Sequence, residues 1–305
     1  MLKTMNTWAR RGLRSSCVGV LLMGLTTLAM AGPTLERIRQ SGKITLGHRE
    51  SSVPFSYLDA DKRPVGYALD LCLKLAEAVR KRLDLKSLTP DYVLVTSSNR
   101  INMVEEGKVD LECGSTTNNA ERRAKVAFTV PHYITGARYM VRADSPIADL
   151  SGFDRKRIVS TKGTTPLKAI DLANRERLLY IDILEAPDHA RAVEMVEKGE
   201  ADGFVMDDVL LFGLISSRVH PEKLKVVGKF LTIEPLAIML PKNDPEFKAI
   251  VDQEMKRLIV SREAFAIYDQ WFMKPIPPHN ASLKLPMSYL LRDFWKYPTD
   301  QVPGG

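Results

Sequence analysis

Three arginines stand just beyond strand-like runs, each close to hydroxyl side chains. Arg49 lies in the loop Gly47-His48-Arg49-Glu50-Ser51-Ser52-Val53-Pro54-Phe55-Ser56-Tyr57, and Arg100 follows Ser97 in Thr96-Ser97-Ser98-Asn99-Arg100. Arg122 closes the richest run, Glu112-Cys113-Gly114-Ser115-Thr116-Thr117-Asn118-Asn119-Ala120-Glu121-Arg122, a strand end followed by three hydroxyls and two asparagines. A guanidinium presents parallel N–H groups that match a planar carboxylate, which a lysine ammonium does not. A small molecule with two carboxylates and one ammonium needs several fixed cations, hydroxyl or backbone donors, and one acidic acceptor. Farther on, Gly163-Thr164-Thr165 opens a helix, whose free N–H groups and dipole also suit an anion. Each residue has a plainer reading as well. Arg49 and Arg100 could be solvated or structural cations, and Thr165 could cap its helix.

These residues need a scaffold that brings distant loops together. Lys43–His48 reads as a buried strand, and the helix after Gly66-Tyr67 carries Leu69, Leu71, Cys72, Leu75, Ala76 and Val79 at helical spacing, ending on Arg80 to Arg82. A strand over 92–95, a short helix over 99–106 and a strand over 109–113 follow. The rhythm restarts after Ala137 with strands at 139–141, 158–160, 179–184 and 203–206 and helices at 167–173 and 189–198. Alternation of this kind predicts an α/β fold of two lobes, each a mostly parallel sheet flanked by helices. A strand over 234–240 and a helix over 246–259 should return to the first lobe. Residues 32–134 and 235–305 then form lobe 1, with a proline-rich tail from 275 expected to wrap it, and 135–234 form lobe 2. Two crossover segments, near 131–137 and 231–236, make a hinge, and open α/β sheets place ligands at strand carboxyl ends.

Lys3, Arg10, Arg11 and Arg14 precede an apolar run from Cys17 to Met30 that ends in Ala29-Met30-Ala31. This reads as a signal peptide over 1–31, cut after Ala31, with Arg10-Arg11 leaving the export route open. Its removal takes four basic and no acidic residues, so the formal charge of +7 falls to +3. No lysine-rich block remains to suggest a nucleic-acid partner. Cys72 and Cys113 survive processing. One sits in a helix stripe and the other at a strand end, and the expectation is two separate buried thiols. No zinc spacing is present, and no cofactor is expected.

The strings GHRESSVPFSY, ECGSTTNNAER, KGTT, PDH and MDD, in that order, resemble the glutamate/aspartate-binding proteins of ABC importers, within the polar amino acid solute-binding family. The likeness runs from about Leu35 to Pro278. It implies a type II periplasmic binding protein fold and a periplasmic protein that binds L-glutamate or L-aspartate. By that likeness Arg122, Thr117 and Thr165 hold the α-carboxylate, Ser115 and Asp207 take the ammonium, and Arg49, Ser97, Arg100 and His189 surround the side-chain carboxylate. Against these roles, Asp207 could cap the helix after it, and His189 could be a helix-start residue facing water. Lys162 and Pro166 depart from the family's pattern at the rim of the second lobe. The partner implied is the importer's membrane permease, and the chain is expected to act as a monomer. The rival class is a periplasmic enzyme on the same scaffold, such as a small-molecule dehydratase. The sequence offers it no nucleophile and base pair. Binding of another polar amino acid is the nearer alternative.

Overall fold

Pro33 in the first turn and Gly42 in the left-handed conformation (φ 64°) bracket helix α1 (Pro33–Ser41), the opening element of a computed structural model that describes residues 32–302. The segment expected to be a signal peptide, with its expected cleavage site, lies outside the described residues. Among the described residues, no helix is long and apolar enough to cross a membrane.

Strand β1 (Lys43–His48) leads into a small antiparallel sheet of β2 (Ser51–Ser52), β3 (Ser56–Leu58) and β4 (Pro64–Val65). Helix α2 (Tyr67–Arg82) buries Leu69, Leu71, Cys72, Leu75, Ala76 and Val79, the stripe its spacing predicts, and ends on three basic residues. Then come β5 (Thr89–Leu94), α3 (Arg100–Glu105), β6 (Leu111–Thr117), α4 (Ala120–Arg123), β7 (Val126–Phe128) and β8 (Tyr133–Thr135). The chain passes Gly136 into a second sheet. It contains β9 (Ala137–Arg142), β10 (Arg157–Thr161), α5 (Thr165–Glu176), β11 (Asp182–Ala186), α6 (His189–Glu197), β12 (Gly203–Asp207), α7 (Asp208–Ser216) and β13 (Leu224–Val227). It returns through β14 (Glu234–Pro241) to α8 (Pro245–Val260), α9 (Glu263–Phe272), β15 (Pro275–Ile276), β16 (Ala281–Ser282) and α10 (Tyr289–Phe294).

The first sheet runs β5-β1-β6-β14-β7, with β8 also on β14, and the second β11-β10-β12-β9-β13. Both are mixed. β1 is parallel to β5 and β6, and β10 to β11 and β12, while β14 and β9, the strands on either side of the crossings, pair antiparallel. That direction follows from connectivity, since a strand that has just crossed from the other sheet enters from the opposite end. Every residue of β6 and β12 is buried, as expected of central strands covered on both faces. Helix α8, capped by Asp244 accepting from the Phe247 N–H at 3.0 Å, lays Phe247, Ile250, Val251, Met255, Leu258 and Ile259 against the first half. Burial of each of these side chains is worth about 2 kcal/mol over exposure.

Cys72 and Cys113 are bonded to each other, with Cα atoms 6.1 Å apart. This corrects the expectation of separate thiols. Each was placed on the right element, but α2 packs directly on β6 and brings both to one interface. The tail lies on the first half: Trp295 Nε1 donates to the Pro131 carbonyl (2.9 Å), Asn118 Nδ2 to the Asp300 carbonyl (2.9 Å) and Tyr57 Oη to the Pro277 carbonyl (2.7 Å). His279 Nε2, 3.1 Å from the Ser217 carbonyl, reaches the second half from the same tail.

Candidate functional site

The carboxyl ends of β1 and β6 in one sheet, and of β10 and β12 in the other, face a common seam. Arg49 follows β1, Ser97 and Arg100 come from the turn into α3, and Ser115 and Thr117 belong to the end of β6. From the opposite side come Thr164 and Thr165 at the start of α5, His189 at the start of α6, and Asp207 at the end of β12. Eight of the nine residues singled out from sequence are buried, and Thr165 is half-buried. Ser97, Arg100, Ser115, Thr117, Thr165, His189 and Asp207 line one cavity of about 10 Å³, room for a single water at most. Arg49 and Arg122 stand directly behind that lining. Arg49 Nη2 donates to Ser97 Oγ at 2.6 Å, and Arg122 Nη1 donates to the Thr117 carbonyl at 3.0 Å.

Local sequence explains the closeness. Gly114 sits where a Cβ would fall 2.2 Å from Glu112 Oε1 and 3.2 Å from Arg49 Cγ, so a larger residue would have to push the Glu112 carboxylate aside. Gly163, at φ 79°, brings the loop before α5 against the other half, where a Cβ would meet the Ser97 carbonyl oxygen at 2.7 Å. Arg122 Nη2 reaches across to the Gly163 carbonyl at 3.4 Å. The plainer readings of three residues are set aside by these contacts. Thr164, not Thr165, caps α5, accepting from the Leu167 N–H. Asp207 holds the cap position of α7 but makes no capping bond, and His189 is buried, not facing water.

The electrostatics are lopsided. Burial, and then the charge of Arg100, pushes the Arg49 guanidinium down to about 9. The same two causes, in the same order, bring Arg122 down to about 10. Arg100 is also lowered by burial, against the opposing pull of Glu112, Asp207 and Glu234. Burial, then Glu234, raises the Asp207 carboxyl well above its ordinary value. His189 is held well below its usual range by burial and then by Arg49 and Arg100, so its imidazole is neutral. Its Nδ1 lies 2.7 Å from Thr161 Oγ1. Unpartnered buried atoms gather at this one place: Arg49 Nη1, Arg100 Nε and Nη1, Glu112 Oε1, His189 Nε2 and Asp207 Oδ1. Such groups are costly to bury unless something completes their hydrogen bonds. The arrangement suits a compact zwitterion with more than one carboxylate.

A family model described as bacterial extracellular solute-binding proteins, family 3, matches residues 44–274. The chain belongs to that family. It is similar to the L-glutamate/L-aspartate-binding protein of Pseudomonas aeruginosa, 39% identical over 291 residues that cover 95% of this chain and 96% of that protein. It is also similar to the glutamate/aspartate import solute-binding protein of Escherichia coli K12, 38% identical over 272 residues covering 89% of this chain and 90% of that one. Among solved structures, a mutant of ArgBP from T. maritima superposes with a TM-score of 0.70 at 21% identity, covering 79% of this chain and 100% of that one. At that identity the likeness speaks for the fold alone.

Two residues of this solute-binding protein's seam escaped the sequence reading. Glu112, fully buried, accepts from Thr116 Oγ1 at 2.7 Å and lies 4.0 Å from Arg100 Nη1. Glu234, 3% exposed, accepts from Thr165 Oγ1 at 2.9 Å. For Glu234 the available signal was a charged residue opening an otherwise apolar strand, where burial is expected only with partners; Glu112, inside the mixed run Leu111–Thr117, carried no such signal.

Proposed function

We propose that this protein captures L-glutamate or L-aspartate in the seam between its two halves, outside the inner membrane, and delivers it to an ABC importer permease. Residues 32–135 with 234–302, which carry the strands of the first sheet, act as one lobe and 136–233 as the other, one residue from the boundary expected at each crossing. They part about the crossings near Gly136 and 228–233 to admit the amino acid and close to retain it. Arg122, Thr117 and Thr165 take the α-carboxylate, Ser115 and Asp207 the ammonium, and Arg49, Arg100, Ser97 and His189 the side-chain carboxylate. With Nδ1 accepting from Thr161, the neutral His189 ring carries its proton on Nε2 and donates to the ligand. The bound amino acid leaves unchanged.

The observation that carries this reading is the set of three dehydrated guanidiniums, each depressed by burial, Arg49 and Arg122 also by Arg100, with donors of Arg49 and Arg100 still unused. An incoming dicarboxylate amino acid completes those bonds and relieves the repulsion, and closure strengthens each pairing by excluding water. The names of the similar proteins from Pseudomonas and Escherichia point the same way. Calorimetric titration of the processed protein with glutamate, aspartate, glutamine and arginine tests the proposal. Heat from the two acidic amino acids, recovered intact afterwards, is expected. A response confined to arginine or glutamine, or a chemically altered ligand, would overturn it.

A further inference from the structure

Glu234 has no part in the ligand set drawn from sequence, yet its carboxylate holds the seam together. It is the first residue of β14, and its Oε2 accepts from Thr165 Oγ1 of the opposite half. Thr165 Oγ1 also lies 3.1 Å from Thr117 Oγ1. A hydroxyl has one proton to give. Thr165 gives its proton to Glu234, so Thr117 must donate to Thr165, and both protons run along one chain toward Glu234. Neither is left for a carboxylate placed in the cavity that these two threonines line. The charge of Glu234 also acts on Arg100, Arg122 and Asp207. On its other side, Glu234 borders an open groove of about 340 Å³ shared with Thr117, Thr165, Lys168, Leu172 and Ile233. That groove gives the side chain somewhere to go when it lets go of Thr165.

We infer that Glu234 is an internal stand-in for the ligand's α-carboxylate: it ties the halves together through Thr165 and must release that hydroxyl before an amino acid can be held there. The inference rests on the cleft reading above. It makes Glu234 a latch on closure of the ligand-free protein and a brake on affinity. It also separates Glu234 from Asp207, which faces the ammonium.

The test pairs two readouts on wild type, Glu234→Ala and Glu234→Gln: small-angle scattering without ligand, and calorimetry with L-glutamate. Removing the competitor should raise the ligand-free radius of gyration and tighten glutamate binding about fivefold in the alanine variant, the worth of one ordinary hydrogen bond. Glutamine keeps an acceptor without the charge and should give a smaller change in the same directions. Unchanged or weaker binding, or an unchanged radius in both variants, overturns the inference, and weaker binding would mean that Glu234 is itself a ligand group. Should the alanine variant fail to fold, the glutamine variant decides. Should wild type not bind glutamate, the cleft reading fails, and the scattering comparison still decides whether Glu234 latches the halves.

Discussion

Replacing Arg49 with Met should make the protein more stable and unable to hold an acidic amino acid. Arg49 is fully buried, its Nη1 has no partner, and burial with the charge of Arg100 lowers its pKa from the ordinary guanidinium value to about 9. At about 1.4 kcal/mol for each tenfold change, that is about 5 kcal/mol against the folded state at neutral pH. The sign follows from the order of the two values. The penalty is full below about 9, where both states carry the proton, and disappears as pH rises from there through the ordinary guanidinium value. Methionine keeps most of the apolar stem but loses the 2.6 Å bond to Ser97, worth about 1.5–3 kcal/mol for a charged donor. A net gain of about 2 kcal/mol remains, or a rise in Tm of about 4–8 °C. Binding moves the other way. Loss of one buried charge partner costs about 2–5 kcal/mol, so glutamate affinity should fall at least about 30-fold. Scanning calorimetry and titration calorimetry on the same preparation read both. A lower Tm with binding retained would refute the reasoning.

Joint replacement of Cys72 and Cys113 by alanine removes a cross-link spanning 41 residues, for which loop-closure entropy gives a loss of about 4 kcal/mol. Denaturant titration should show it, and wild type in reductant should approach the same curve. Burial and then Glu234 raise the pKa of Asp207, so its contribution to folding is fully present below the ordinary carboxylate value and is lost as pH rises through the raised one. The ligand's ammonium needs the ionised form, so wild-type affinity should weaken on acidification. Asp207→Asn should bind weakly throughout, without that slope, in titrations across the acidic range. Gly163→Ala places a methyl group 2.7 Å from the Ser97 carbonyl oxygen at a positive φ. Calorimetry should show glutamate affinity falling about tenfold or more, while the unfolding midpoint drops by only a few degrees.

Much of the scaffold can be read from local pattern. The stripe on α2, the apolar face of α8 and the strand starts at Lys43 and Gly203 are one-dimensional signals, and they lie within a residue or two of the elements found. The short helices are harder. α1 carries only three buried residues in nine positions, and α9 depends on Tyr268, Trp271 and Phe272 meeting Phe55, Tyr57, Tyr67 and Tyr133 from elsewhere in the chain. Strand direction is not local either, which is why the antiparallel pairings of β9 and β14 emerge only once the crossings are placed. The arginines of the seam announce themselves through neighbouring hydroxyls and glycines. Glu112 and Glu234 do not, because what marks them is a partner on a different element, Arg100 for one and Thr165 for the other. The same holds for Cys72 and Cys113, whose pairing depends on how α2 lies across β6.

A crystal structure of the processed protein grown with L-glutamate tests the central claim most directly. The ligand's side-chain carboxylate should lie within hydrogen-bonding distance of Arg49 and Arg100, its α-carboxylate against Arg122, and its ammonium at Asp207. Glutamate bound elsewhere, or in the seam with the three guanidiniums turned from it, would contradict the account.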